Sequence, residues 1–270
     1  MKIFNYSFEI NKIKKPVPAI NGKKIQFGWK RDLPDPRDFK FGLAEPMPLP
    51  ALVDLREQDP PIYNQLESNS CTANAMGGVF QFEQISQQKK DFIPSRLYIY
   101  YNTRVLENTV NQDGGATLRN TMKAMINDGA CPETKWGFNL KNLTAKPNYC
   151  CYVTGKNNQV LQYLSVAHDL NEIKQCLAIC HPVAFGFMVF ASFMTEEVAI
   201  TGIAPIPLTS DSALGGHAVV AVGYDDSKNA LIIRNSWGTE WGLNGYFYMP
   251  YEYITMPGIT ADFWTIRLVE

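Results

Sequence analysis

At 270 residues, 46% of them hydrophobic, the chain suits one large domain or two lobes that share an interface. A formal net charge of −1 gives no electrostatic reason to expect nucleic acid or an anionic membrane as partner. No apolar run approaches the roughly 18 residues of a membrane span, and Met1–Ile10 carries Glu9 without a continuous apolar block, so an intracellular location is expected.

Residues 1–50 differ from the rest. They hold Pro16, Pro18, Pro34, Pro36, Pro46, Pro48 and Pro50 with little helical or strand periodicity, which predicts an extended N-terminal segment or a partly disordered one. Residues 51–270 read as the globular domain. From Thr72 to about Lys89, Ala75, Val79, Phe82 and Ile85 share one helical face. Ser95–Leu106 opens after Pro94 with Ser95 as cap. Thr117–Asp128 presents Leu118, Met122, Met125 and Ile126, then Gly129 as the residue just past the helix. Asp169–Cys180 begins Asp-Leu-Asn-Glu, an Asp-initiated capping box, and ends before Pro182.

The second half turns to strands. Val183–Phe190, Ala218–Tyr224, Ala230–Arg234, Gly245–Met249 and Phe263–Val269 are apolar or alternating, and residues 225–229 form a hairpin-type connection. Helices first and strands second predict an α+β protein with a helical lobe and a sheet lobe.

The six cysteines are Cys71, Cys131, Cys150, Cys151, Cys176 and Cys180. Cys176 and Cys180, spaced i, i+4, are expected to face the core. Cys150 and Cys151 are adjacent, a poor geometry for bonding each other. A metal site from Cys150, Cys151, Cys176, Cys180 and His181 is disfavoured because no pair has the Cys-x-x-Cys spacing usual for zinc; no metal and no cofactor are expected.

Cys71 stands at the predicted start of a long helix. A thiol with an ordinary pKa near 8.5 is only a few per cent ionised at neutral pH. The helix N-terminus and a protonated imidazole are the two routes here to a lower value. Alone, Cys71 reads as a buried, inert cysteine. His217, after Gly215-Gly216, and Asn235, before Ser236-Trp237-Gly238, sit at strand edges. A carboxamide at 235 is able to accept the imidazole's other N–H and fix its tautomer. Gln65 precedes the thiol by six residues, and with the Cys71 N–H its amide would form an oxyanion hole.

Together these residues resemble the papain-like cysteine proteases. Gln65 matches that family's oxyanion Gln, Cys71 its nucleophile, His217 its general base and acid, and Asn235 its His-orienting residue. Asn235-Ser236-Trp237-Gly238-Thr239-Glu240-Trp241-Gly242 is similar to the family's most recognisable stretch. The resemblance spans about Val53 to Val269. It implies a two-lobe α+β fold, a helical lobe and an antiparallel β-barrel-like sheet lobe, with the cleft between them. It also implies a monomeric endopeptidase acting on peptides or proteins. Gly114, Gly115, Ala116, Gly216, Trp237 and Trp241 would contact substrate. Trp237 would also screen the Asn–His pair. Gly115, Ala116, Gly186, Gly215 and Ala218, all small, would border an S2 pocket for a bulky apolar side chain.

Four departures surround the nucleophile. Leu66 stands where the family has Gly, Ser68 where it has a disulfide Cys, Asn69 where it has a second Gly, and Thr72 where it has Trp. Loss of the Cys fits a reducing compartment. Asn69 is expected to tolerate a positive φ, and Thr72 to seat the helix more loosely. The leader is expected to be a strap that partly covers the cleft. A catalytically silent peptide-binding protein and a thioester-forming acyltransferase stand as alternatives.

Overall fold

The computed structural model describes residues 19–20, 22–42 and 47–270. Expectations for Met1–Ile10, Pro16, Pro18 and Pro46 lie outside the described residues. The leader contributes β1 (Ala19–Ile20), β2 (Lys23–Lys24) and β3 (Trp29–Lys30), and the next strand, β4 (Leu52–Asp54), opens the domain.

The helical lobe is built on α1 (Cys71–Ser86), α2 (Arg96–Leu106) and α3 (Leu118–Asn127), with the short strand β5 (Ala116–Thr117) between the last two. Caps end these helices as the sequence predicts. The Ser95 side chain accepts from Tyr98 N, and Gly129 takes φ +71°. α1 is unusual in being buried from Cys71 through Gln84, with almost no solvent-facing side. It is the central helix of the molecule, and Thr72 is wholly buried, its hydroxyl without a hydrogen-bond partner among the described residues. A buried Arg96 pins this helix by donating to Asn74 Oδ1 (3.0 Å) and pairing with Glu133 (2.8 Å).

After α4 (Tyr149–Gly155) the chain alternates β6 (Val160–Ser165), α5 (Leu170–Ala178), β7 (Val183–Phe190) and α6 (Glu196–Thr201). It finishes through β8 (Ala213–Asp225), β9 (Ala230–Arg234), β10 (Tyr246–Pro250), α7 (Tyr251–Thr255) and β11 (Thr260–Val269). Seven of these strands form one antiparallel sheet in the order β10-β9-β8-β7-β11-β6, with β4 also on β8. Two strands depart from the helices-first reading. Leu52–Asp54 crosses from the N-terminal half to pair with β8, and Val160–Ser165 pairs with β11.

α5 also differs at its end. Cys176 is buried, but the helix stops at Ala178 and Cys180 adopts φ +63°, which turns it out to solvent. At the helix start, Asp169 accepts from Glu172 N, while Glu172 reaches Ala167 N instead of closing the expected box. Among the described residues no helix is long and apolar enough to cross a membrane.

Candidate active site

Cys71 is the first residue of α1 and lies against β8, whose Ala218 N–H points at the thiol sulfur. His217 precedes Ala218 on that strand. The His217 Nε2 atom lies 2.8 Å from Asn235 Oδ1. A carboxamide oxygen only accepts, so Nε2 carries the proton and Nδ1 keeps its lone pair. Nδ1 is buried and has no hydrogen-bond partner among the described residues. Trp237 stacks on the imidazole at 4.8 Å between centroids and covers the pair. Trp241 stands edge-on to Trp237 at 4.9 Å, almost fully buried. It is a second layer behind Trp237, packed with Phe193 and Phe247.

Gln65 is positioned by the strand edge that follows Asn235. Its backbone N–H donates to Ser236 O (2.8 Å), and the Ser236 hydroxyl donates to its Oε1 (2.7 Å). With the oxygen so engaged, Nε2 turns toward Ser68 O (2.8 Å) and toward the carbonyl of Gln26 (3.2 Å). Ser236 is thus a positioning residue that the sequence reading passed over as part of a motif.

The leader fills the cleft. Gln26 O meets Gln65, Gly28 N–H points at the Cys71 sulfur, and Gly28 O accepts from Ala116 N (2.8 Å). Trp29–Lys30 then pairs with Ala116–Thr117 as a parallel two-stranded ribbon. Gly115, at φ +77°, permits this approach, for a Cβ there would lie 2.1 Å from Gly28 O. At Gly114 the nearest atoms to an added Cβ would be those of the Gln112 side chain, at 3.7 Å. The Trp29 ring lies over Gly186 and Gly216, where a Cβ would come within 1.9 Å and 2.6 Å of it. Phe27 packs at Gly215 and near His217.

This burial changes the titration of the pair. It pushes the Cys71 thiol up to about 11, against the pull of N–H groups from Ala218, Gly28, Thr72 and Cys71 itself. It pulls His217 down to about 4, against the Asn235 hydrogen bond. The lowered thiol pKa expected from the helix N-terminus does not hold in this state. Desolvation under the strap outweighs it, and both groups are neutral near pH 7.

The loop before the thiol also corrects an expectation. The left-handed residue is Leu66, at φ 51°, not Asn69. Asn69 instead joins the helical lobe. Its backbone N–H donates to Asp113 Oδ2 (3.0 Å) and its side-chain amide to Asp113 O (2.7 Å). Tyr100 donates to Asp113 Oδ1 (2.6 Å) and accepts from Gly115 N (3.0 Å). With Ser68 in place of the customary Cys, this clamp ties the nucleophile loop to the Gly114-Gly115 segment without a covalent bond.

Comparison with known proteins bears on the family and the fold. The profile described as "Papain family cysteine protease" matches residues 49–265. An uncharacterized peptidase C1-like protein of Acanthamoeba polyphaga mimivirus is 35% identical over 270 residues, covering 90% of this chain and 87% of that one. Pro-cathepsin H of Bos taurus is 38% identical over 82 residues, covering 30% of this chain and 24% of that one. Among solved structures, xylellain, a cysteine protease from Xylella fastidiosa, superposes with a TM-score of 0.83 at 39% identity. That match covers 90% of this chain and 96% of xylellain. The chain belongs to the papain family of cysteine proteases and has its two-lobe α+β fold.

Proposed function

We propose that this papain-family chain hydrolyses internal peptide bonds with Cys71 as nucleophile, and that residues 22–42 hold it in a latent state. The observation that carries the reading is a peptide carbonyl, that of Gln26, already bonded to Gln65 Nε2 beside the thiol. With a substrate in its place, His217 Nδ1 takes the Cys71 proton and the sulfur attacks the scissile carbonyl carbon. Gln65 Nε2 and the Cys71 N–H hold the oxyanion; losing one such donor typically costs about 10²–10³ in rate. Collapse breaks the C–N bond, and the leaving amine takes the proton from His217. Water then attacks the thioester, giving a proton to His217, and Cys71 leaves as thiol once that proton returns.

Asn235 keeps the imidazole in the tautomer that can accept from the thiol. The strap lies on both sides of the thiol, Gln26 at the oxyanion site and Trp29 on the Gly186–Gly216 shelf, which favours a substrate that passes through. Its polarity supports latency. In the strap, the chain that follows the Gln26 carbonyl reaches the shelf. In a substrate read by the family resemblance, the chain that precedes the scissile carbonyl does. The Gln26–Phe27 bond therefore places its nitrogen away from the leaving-group side. By the same resemblance Trp237 would border that opposite side, with Trp241 packed behind it.

The test is hydrolysis of an unstructured protein substrate by the full chain carrying Trp29→Ala, with and without Cys71→Ala. Cleavage at internal bonds is expected, and Cys71→Ala abolishes it. Cleavage that survives Cys71→Ala refutes the assignment. Binding without cleavage in both favours a silent peptide-binding protein.

A further inference from the structure

Small residues alone predict that the shelf beside the thiol takes a bulky apolar side chain. The structure adds a carboxylate. Gly186 and Gly216 are diagonal neighbours on one face of the β7–β8 ladder, and the two missing side chains leave a flat surface that the Trp29 indole covers. At its edge stands Asp262, in the irregular stretch of β11 between the Ala261–Gly186 and Trp264–Ala184 pairs, with φ +60°. The Trp29 Nε1–H donates to Asp262 Oδ2 (3.0 Å), and the Asp32 backbone N–H donates to the same oxygen (2.8 Å). Two N–H groups thus converge on one carboxylate oxygen.

We infer that Asp262 is a specificity-determining residue, and that the shelf selects a flat side chain with N–H donors at its far edge, arginine above tryptophan and both above leucine or phenylalanine. The inference rests on the reading that peptides enter the cleft the strap occupies. A guanidinium is planar, fits a surface with no Cβ, and offers adjacent N–H donors to replace both strap donors at once. The indole replaces one. Leucine replaces neither and leaves a partly buried carboxylate without a partner.

The charge state favours the cation once the strap leaves. Burial and the neighbouring Asp32 carboxylate raise Asp262 to about 7, while Arg31 pulls it down. Asp32 and Arg31 both depart with the strap, water returns, and the carboxyl moves back toward its ordinary range. Arg119 on α3 remains on the domain, adds a further pull toward the ionised form, and is held over the Trp264 ring at 5.4 Å.

The experiment uses the full chain with Trp29→Ala, which empties the shelf. Peptides differ only at the residue before the one bearing the scissile carbonyl: Arg, Trp, Leu or Phe. Arg is expected to exceed Leu in kcat/KM by at least about tenfold, with Trp between them. Adding Asp262→Asn keeps an acceptor without the charge, so the Arg advantage collapses while the Trp advantage stays. Adding Asp262→Gly removes the acceptor, and both advantages vanish. Both residues suit φ +60°, so neither change strains the backbone.

Leu or Phe equal to Arg and Trp in the parent overturns the inference, as does an Arg advantage unchanged in Asp262→Asn. The same peptides are titrated against Trp29→Ala/Cys71→Ala by fluorescence anisotropy. Preferential binding of Arg without turnover in the Cys71 parent upholds the shelf and refutes the peptidase reading. Turnover without preference does the reverse.

Discussion

Replacing Trp29 with Ala removes the side chain that anchors the strap, and the effect can be sized from its contacts. Trp29 is half-buried, and burying an aromatic side chain stabilises by about 1.5–3 kcal/mol, so the low end applies. Its hydrogen bond to the Asp262 carboxylate adds about 1.5 kcal/mol, partly returned when water solvates the freed oxygen. A net loss of about 2–3 kcal/mol multiplies the open population roughly 30- to 150-fold. Cys71 is wholly inaccessible under the strap, so a thiol-directed epoxide reads that population through its labelling rate. The substituted full chain should label at Cys71 at least about 30-fold faster than the unsubstituted one. A rate within threefold would refute the idea that this strap controls access to the thiol.

Gly28→Ala should open the strap by another route, because its Cβ would lie 1.9 Å from Asn69 O, a backbone atom that cannot swing aside; labelling no faster than in the parent contradicts this. The strap should also loosen as pH rises. Asp262 sits at about 7 and Asp32 is also raised by burial, opposed by Trp264 and Arg119 and reinforced by Asp38. Their closed-state pKa values exceed the open ones, so closure takes up protons and weakens as pH climbs toward about 7. The Cys71–His217 pair holds one proton whether neutral or ionic and adds no slope near neutrality. Limited proteolysis of the strap should accelerate as pH rises from the ordinary carboxyl range to about 7 and level off above it, by up to about tenfold per unit from Asp262, and should lose that residue's share of the slope in Asp262→Asn. An equal slope in that variant assigns the effect elsewhere. Asp113→Ala strips the Asn69 N–H and the Tyr100 hydroxyl of their acceptor, which should cost about 1–3 kcal/mol in a urea melt. An unchanged midpoint would show that the clamp contributes nothing.

The site was far more legible than its cover. Cys71, His217, Asn235 and Gln65 announce themselves because each needs a particular side-chain chemistry at the edge of a regular element, and β8, β9 and α1 supply those edges. Val183–Phe190 and Ala230–Arg234 were readable as unbroken apolar runs, since β7 and β9 are buried along most of their length. Val160–Ser165 was not, because its exposed Leu161 and Gln162 blur the alternation. Residues 26–29 carry no periodicity at all. They are held by backbone hydrogen bonds, by glycines across the contact, and by Gly28 and the Trp29 side chain, single residues whose partners lie far away in the sequence. Cys180 was misplaced because i, i+4 spacing decides facing only while the helix continues, and this one ends two residues earlier. Asp262 was hidden for a related reason: its aim comes from an irregularity in β11 that one strand cannot reveal.

Cys71 is the thiol expected to be activated although it is fully buried, as Cys131, Cys151 and Cys176 also are. Cys150 and Cys180 are exposed and offer the ready alternative. The direct measurement is epoxide labelling of the full chain with Trp29→Ala at neutral pH, with the modified peptide located by mass spectrometry. The adduct is predicted on Cys71, with its rate collapsing in His217→Ala. Adducts confined to Cys150 or Cys180, or labelling of Cys71 indifferent to His217, would contradict it.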